Sequence, residues 1–167
     1  VSTILLPDGR ILVAGGGIIA KNGDPSFSEG IAEAYDPATD SWSSIASVPT
    51  VDNDSPIRPS LLYRSTDEIV MAGGTENRHS LEGALLHLYT PSSNRWRNLQ
   101  IQSAIMPGKM HHSISVVSST LGVLVIGGLW SYLPFGHPYT ATDVTCALQD
   151  DDTCVMLPPL TEPRSDP

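Results

Sequence analysis

The chain is short of charge. Only 16% of its 167 residues are Asp, Glu, Lys or Arg, against roughly 25% in an average soluble domain. It is shorter still of bases: nine Lys and Arg stand against 18 Asp and Glu, for a formal net charge of −9. That balance argues against a nucleic-acid partner, because phosphate contact needs a basic face. No apolar run approaches the ~18 residues of a membrane-spanning helix. There is no P-loop, no Gly-x-Ser-x-Gly elbow and no Cys-x-x-Cys, so three common routes to chemistry have no motif behind them. Uninterrupted helical stretches are missing too, since Gly and Pro number 14 each and punctuate the chain with turns. Disorder is disfavoured by the 40% of hydrophobic residues. The chain opens at Val1 without Met and without a charged-then-apolar leader, so no signal peptide is legible.

What is present is a repeat. One unit runs Ile4-Leu5-Leu6-Pro7-Asp8-Gly9-Arg10-Ile11-Leu12-Val13-Ala14-Gly15-Gly16, with Tyr35-Asp36-Pro37 and Trp42 further on. A second runs Leu61-Leu62-Tyr63, then Ile69-Val70-Met71-Ala72-Gly73-Gly74, then Tyr89-Thr90-Pro91 and Trp96. A third has Ser113-Ile114-Ser115-Val116-Val117 and Val123-Leu124-Val125-Ile126-Gly127-Gly128. The steps from Tyr35 to Tyr89, from Trp42 to Trp96 and from Gly73 to Gly127 are all 54 positions. Each unit reads as four short strands. The second is a near-continuous apolar run ended by the glycine pair, which suits a strand buried on both faces. The third carries the Tyr and the fourth the Trp, with turn-rich hairpins between them at Asp36–Asp40 and Thr90–Asn94.

The paired glycines, with a Tyr and a Trp separated by six residues, resemble the kelch repeat. The resemblance covers essentially the whole chain, as units over 1–50, 51–107 and 108–167. It implies an all-β fold: a kelch-type β-propeller of which the chain supplies three four-stranded antiparallel blades of a six- or seven-bladed ring. Gly15, Gly16, Tyr35 and Trp42 match the pattern in the first unit, and Gly73, Gly74, Tyr89 and Trp96 in the second. In the family the glycines end the second strand, and the Tyr and Trp pack between neighbouring blades. Three blades do not close a ring, so the resemblance implies that the remaining blades belong to a longer protein or to a second copy.

The third unit keeps Gly127 and Gly128 but has no Tyr and Trp at the family spacing. Leu157-Pro158-Pro159-Leu160 resembles the stretch that follows the Trp in this family. Counting back puts Cys154 in the Trp position and Cys146 in or beside the Tyr position, with a hairpin one residue longer. The resemblance thus implies a cross-strand disulfide between Cys146 and Cys154; two buried free thiols are the alternative. A disulfide belongs to an oxidising compartment, and a chain with only two lysines (Lys21 and Lys109) fits a secreted protein. A cytoplasmic location goes with the free thiols.

Candidate recognition residues sit between second and third strands, where the units differ most. The second such loop holds Arg78 and His79. The third holds Trp130, Tyr132, Phe135, His137 and Tyr139, and takes four of the chain's ten aromatics. Aromatics outside the strand pattern offer rigid contact area to a peptide or a sugar; folding back to cap the blade is the other reading. His112-Ser113-Ile114-Ser115-Val116-Val117 resembles the strand bearing a copper-ligand histidine in the galactose oxidase and glyoxal oxidase families. There a Tyr precedes the histidine; here His111 does, and the thioether-forming cysteine has no counterpart. That resemblance implies His112 alone as a metal ligand, with copper as cofactor only if the chain is an oxidase propeller. Asp150-Asp151-Asp152 reads as a hairpin tip, or as oxygen ligands for calcium. The expectation is a non-catalytic module, with no cofactor, that presents its loops to a protein or glycan partner. An oxidase domain and a structural part of a large assembly are the alternatives.

Overall fold

In the computed structural model the described residues are 1–16, 18–19, 25–26, 30–49, 59–72, 85–100, 109–111, 114–118, 120–131 and 140–163. Most of them are strand, and one 3-10 turn spans Pro91–Ser93. The chain forms β1 (Ser2–Leu5) and β2 (Ile11–Ala14), a short ribbon of β3 (Ile18–Ile19) and β4 (Pro25–Ser26), then β5 (Ala32–Asp36) and β6 (Ser41–Ser44). Next come β7 (Ser60–Ser65), β8 (Glu68–Ala72), β9 (Leu85–Thr90) and β10 (Arg95–Gln100). The last third holds β11 (Lys109–His111), β12 (Ile114–Ser118), β13 (Gly122–Ile126), β14 (Leu129–Ser131), β15 (Thr140–Ala141), β16 (Thr145–Leu148) and β17 (Cys154–Met156).

Three four-stranded antiparallel sheets result, each in simple first-second-third-fourth order: β1-β2-β5-β6, β7-β8-β9-β10 and β12-β13-β16-β17. Leu6-Pro7-Asp8-Gly9-Arg10 makes the first hairpin. Gly9 takes φ +90°, and the Asp8 carboxylate accepts from the Arg10 backbone N–H (3.0 Å) and guanidinium (2.9 Å). That guanidinium holds the Asp8 carboxyl below the usual carboxylate range. Each hairpin between third and fourth strands places one residue in the left-handed region: Asp40 (φ +49°), Asn94 (φ +50°) and Asp152 (φ +66°). Asn and Asp tolerate this region better than other residues with a side chain.

The sheets share two buried apolar layers. Leu12, Ala14 and Ala32 of the first sheet pack with Leu61, Ile69, Met71 and Tyr89 of the second, with Leu6 and Val48 at the margin. Val70, Ala72, Leu86, Leu88 and Leu99 of the second sheet pack with Val123, Val125, Cys146, Leu148 and Cys154 of the third. Side chains alternate across a strand, so the second sheet gives one face to each layer. Its second strand is accordingly buried from Ile69 to Ala72, while β2 and β13 alternate between buried and half-buried positions.

The register equates the three sheets residue by residue. Ile11 pairs Tyr35, which pairs Trp42. Ile69 pairs Tyr89, which pairs Trp96. Val123 pairs Leu148, which pairs Cys154. Cys154 therefore takes the Trp position, as expected. The Tyr position belongs to Leu148, which corrects the expectation for Cys146: that cysteine pairs Met156 and lies diagonally across from Cys154. The hairpin is one residue shorter than in the other sheets, not longer, because Gln149–Thr153 closes tightly through Gln149 N–H to Thr153 C=O (2.8 Å). The two cysteines still stand at disulfide distance, Cα–Cα 5.8 Å.

Candidate functional site

The second strand of a sheet ends at a glycine pair for a conformational reason. Gly15 and Gly16 have φ +74° and +104°, and Gly127 and Gly128 have φ +60° and +121°, a region that L side chains avoid. At Gly16 a Cβ would also lie 2.6 Å from Val1 Cγ1. Gly15 donates to Ile31 C=O (3.3 Å) and Gly127 to Val144 C=O (2.8 Å), so both pairs end the pairing of second and third strands in the same way. Gly73 and Gly74 lie outside the described residues. Past the glycines the chain leaves the first and the third sheet at equivalent positions. The first departure enters the β3–β4 ribbon and the third enters β14.

The expected recognition residues Arg78, His79, Tyr132, Phe135, His137 and Tyr139 lie outside the described residues, as does His112. Trp130 is in β14, where its backbone pairs Met110 on one side and Thr140 on the other. The third departure thus opens as the central strand of a small three-stranded sheet, β11-β14-β15, and not as a free loop. The sequence carried a faint sign of this: β-favouring Trp130 and Thr140 flank the stretch. Strands of two or three residues are too short for alternation to be legible.

The described polar groups bind the sheets to one another. The Tyr35 and Trp42 rings are 5.1 Å apart, and those of Tyr89 and Trp96 are 4.8 Å apart. Trp96 Nε1 donates to Ala46 C=O (2.9 Å), Ala46 N–H donates to Asn94 Oδ1 (3.0 Å), and the Tyr63 hydroxyl donates to Leu5 C=O (2.6 Å). The second and third sheets are joined by charge. Arg64, its side chain only 4% exposed, donates to Asp152 Oδ1 (2.6 Å) and Gln149 C=O (2.8 Å). Arg97 adds bonds to both Asp152 oxygens at 2.5 and 3.2 Å. The hydrogen bonds from Arg97 and then Arg64 hold the Asp152 carboxyl below its ordinary range, against the opposing effect of burial. Asp151 accepts from Thr153 (2.6 Å). The acidic run is therefore a clamped hairpin: Asp152 points inward to the arginines, and only Asp150 and Asp151 match the expected solvated tip.

Burial separates the tyrosines. Tyr89 is 1% exposed, and burial pushes its hydroxyl above the usual range. Tyr35 is shifted the same way by its hydrogen bond to Asp40 (2.7 Å). Groups of three or more His, Cys, Asp or Glu able to hold a metal are absent among the described residues.

With this geometry in place, the chain can be compared with known proteins. No protein-family model matches it, and no curated protein matches it in sequence. In three dimensions it is similar to the solved structure of YjhT, with a TM-score of 0.69 at 12% identity over 98% of this chain. The match covers 56% of the YjhT chain, so the present chain spans little more than half of that length. At such identity the likeness concerns the fold. No helix among the described residues is long and apolar enough to cross a membrane.

Proposed function

We propose that the chain forms three blades of a kelch-type β-propeller and works as a rigid, non-catalytic module that offers its rim connections to a protein or glycan partner. The observation behind this reading is the threefold recurrence of one four-stranded sheet in one register, stacked through two apolar layers. The first and third sheets release their long connections at the glycine pairs, and the sequence of these connections is where the units differ most. A packed scaffold of this kind loses little conformational entropy on binding, which favours recognition by fixed loops. The partner's contacts are assigned to Arg78, His79, Trp130, Tyr132, Phe135, His137 and Tyr139. The cysteine pair at 5.8 Å supports a disulfide, and with it an extracellular setting.

The test is a glycan and peptide array probed with the intact chain and with Arg78→Ala, His79→Ala and Trp130→Ala. Binding that falls tenfold or more in these variants, at an unchanged melting temperature, supports the module. Unfolding of Trp130→Ala, or binding indifferent to all three, refutes it. Copper retained at one equivalent, and lost in His112→Ala, would transfer the chain to the oxidase reading.

A further inference from the structure

The register assigns every strand residue to a face. On the first sheet, Ile4, Leu12, Ala14, Ala32 and Ala34 face the second sheet. The outer face carries the row Leu5, Ile11, Tyr35, Trp42 and the row Thr3, Val13, Glu33, Ser44. Large apolar side chains are left bare there: Val1 is 71% exposed, Leu5 62%, Trp42 58% and Ile31 41%. At the other end of the stack, the third sheet turns Leu124, Ile126, Ala147, Val155 and Leu157 outward: Val155 is 49% exposed, Leu124, Ile126 and Leu157 are half-buried, and the small Ala147 is sunk between them at 1%.

What covers such a row is visible one sheet along. The equivalent row of the second sheet, Tyr63, Ile69, Tyr89 and Trp96, is seated on the inner face of the first sheet. There the Trp96 indole finds the Ala46 carbonyl.

We propose that the outer face of the first sheet is a seat for the outer face of the third sheet of a second copy of this chain, so that copies join head to tail. The inference rests on the stacked-sheet half of the reading above. The register supplies the argument. Leu124, Ile126, Thr145, Ala147, Val155 and Leu157 stand where Leu12, Ala14, Ala32, Ala34, Ser43 and Ile45 stand in the first sheet. The chain also leaves the two sheets alike: Ile45 donates to Ala32 C=O (3.3 Å) and Leu157 to Thr145 C=O (2.9 Å). That places the Pro158 carbonyl at the position of the Ala46 carbonyl, as acceptor for the Trp42 indole. One chain thus carries both halves of the joint, and a contact between unlike faces joins copies head to tail.

Two residues adjust its strength. The bond from Ala46 N–H to Asn94 has no counterpart, because Pro158 has no N–H and Asp40 stands in Asn94's place. Glu33 occupies the position of His87 and Cys146, and is the charged side chain in these two rows; covering it disfavours the joint. Trp42, a large aromatic at the centre of the contact, is expected to dominate it.

Light scattering of the 167-residue chain across a concentration series tests this. The expected species has twice the 17.8 kDa of one chain. Trp42→Asp and Leu157→Asp should each yield monomer with an unchanged circular-dichroism spectrum. Mixing those two variants should restore a dimer through the one unaltered joint. Glu33→Gln should lower the dissociation midpoint at least threefold, and Trp42→Phe, which loses only the indole donor, should raise it. Monomer at every concentration overturns the inference, as does association that Trp42→Asp leaves unchanged, or a mixture that stays monomeric. Growth past the dimer that Trp42→Asp abolishes upholds the seat but refutes closure of a ring by two copies. A monomer that still binds through its loops overturns the seat alone.

Discussion

Trp42 and Trp96 hold one register position and live in different surroundings. Trp96 lies against the layer between the first two sheets and donates to Ala46, whereas Trp42 is 58% exposed. Trp96 therefore lies between two sheets, while the face bearing Trp42 meets no other sheet among the described residues. Removing an indole that is packed and hydrogen-bonded costs both contact area and a satisfied carbonyl. Trp96→Ala is expected to lose about 3 kcal/mol in a denaturant titration. Trp42→Ala, titrated below the dissociation midpoint where the chain is monomeric, should stay within about 0.5 kcal/mol of the parent, as exposed substitutions do. Equal losses would mean that the two residues share an environment after all.

The element that decides the second interface is the hairpin Gln149–Thr153. Its Asp152 receives Arg64 and Arg97 from the second sheet, and Arg64 is buried, so loss of the carboxylate leaves its charge to the longer contacts with Glu68 (3.8 Å) and Asp150 (4.0 Å). Because Asp152 keeps about a third of its surface in water, the ion pair is partly screened. Asp152→Asn should therefore cost roughly 2 kcal/mol at neutral pH, below the range for a fully buried pair. The sign with pH follows from the lowered folded-state pKa. The contribution is fully present above the unfolded value near ~3.9. It is lost as pH falls through the lower folded value. Urea midpoints measured from pH 7 to pH 2 should converge for parent and variant at the acid end; curves that stay parallel would remove Asp152 from acid unfolding. The same hairpin holds the cysteine pair. Closing a loop this short constrains the unfolded chain by about 2–3 kcal/mol in the loop-entropy account. Reduction should raise the intact mass by about 2 Da and lower stability by that amount; an unchanged mass means free thiols.

At the scale of the whole molecule, two apolar layers share one middle sheet, so the three sheets should melt together. Leu12 and Leu88 are fully buried in different layers. Leu12→Ala and Leu88→Ala are each expected to cost about 3 kcal/mol and to lower one common calorimetric transition. Two separate transitions would show that the layers are independent. The middle position also explains the one feature of strand burial that the repeat did not foretell. Ile11–Ala14, Ile69–Ala72 and Val123–Ile126 are alike in sequence, yet only the second is buried throughout after its first turn residue. Burial on both faces comes from having a neighbour on each side.

Local chemistry was legible in the sequence wherever it repeats. Four strands per unit, the Pro-Asp-Gly hairpin, the glycine pairs and the Tyr–Trp pairing follow from alternation, turn preference and backbone sterics, which act over a few residues. Cys154 could be placed by counting back from Leu157-Pro158-Pro159-Leu160, on the resemblance of that stretch to the one that follows the Trp in kelch units. Cys146 could not, because one residue of hairpin length moves the whole register and only the pairing of β16 with β17 sets it. The short strands around Trp130 were illegible because two or three residues are too few for alternation to show. The clamp on Asp152 was hidden in a run of acids, since its arginines come from 55 and 88 positions away. Contact between sheets decided which of two equivalent tryptophans is covered, and burial free energy belongs to that contact and not to the residue.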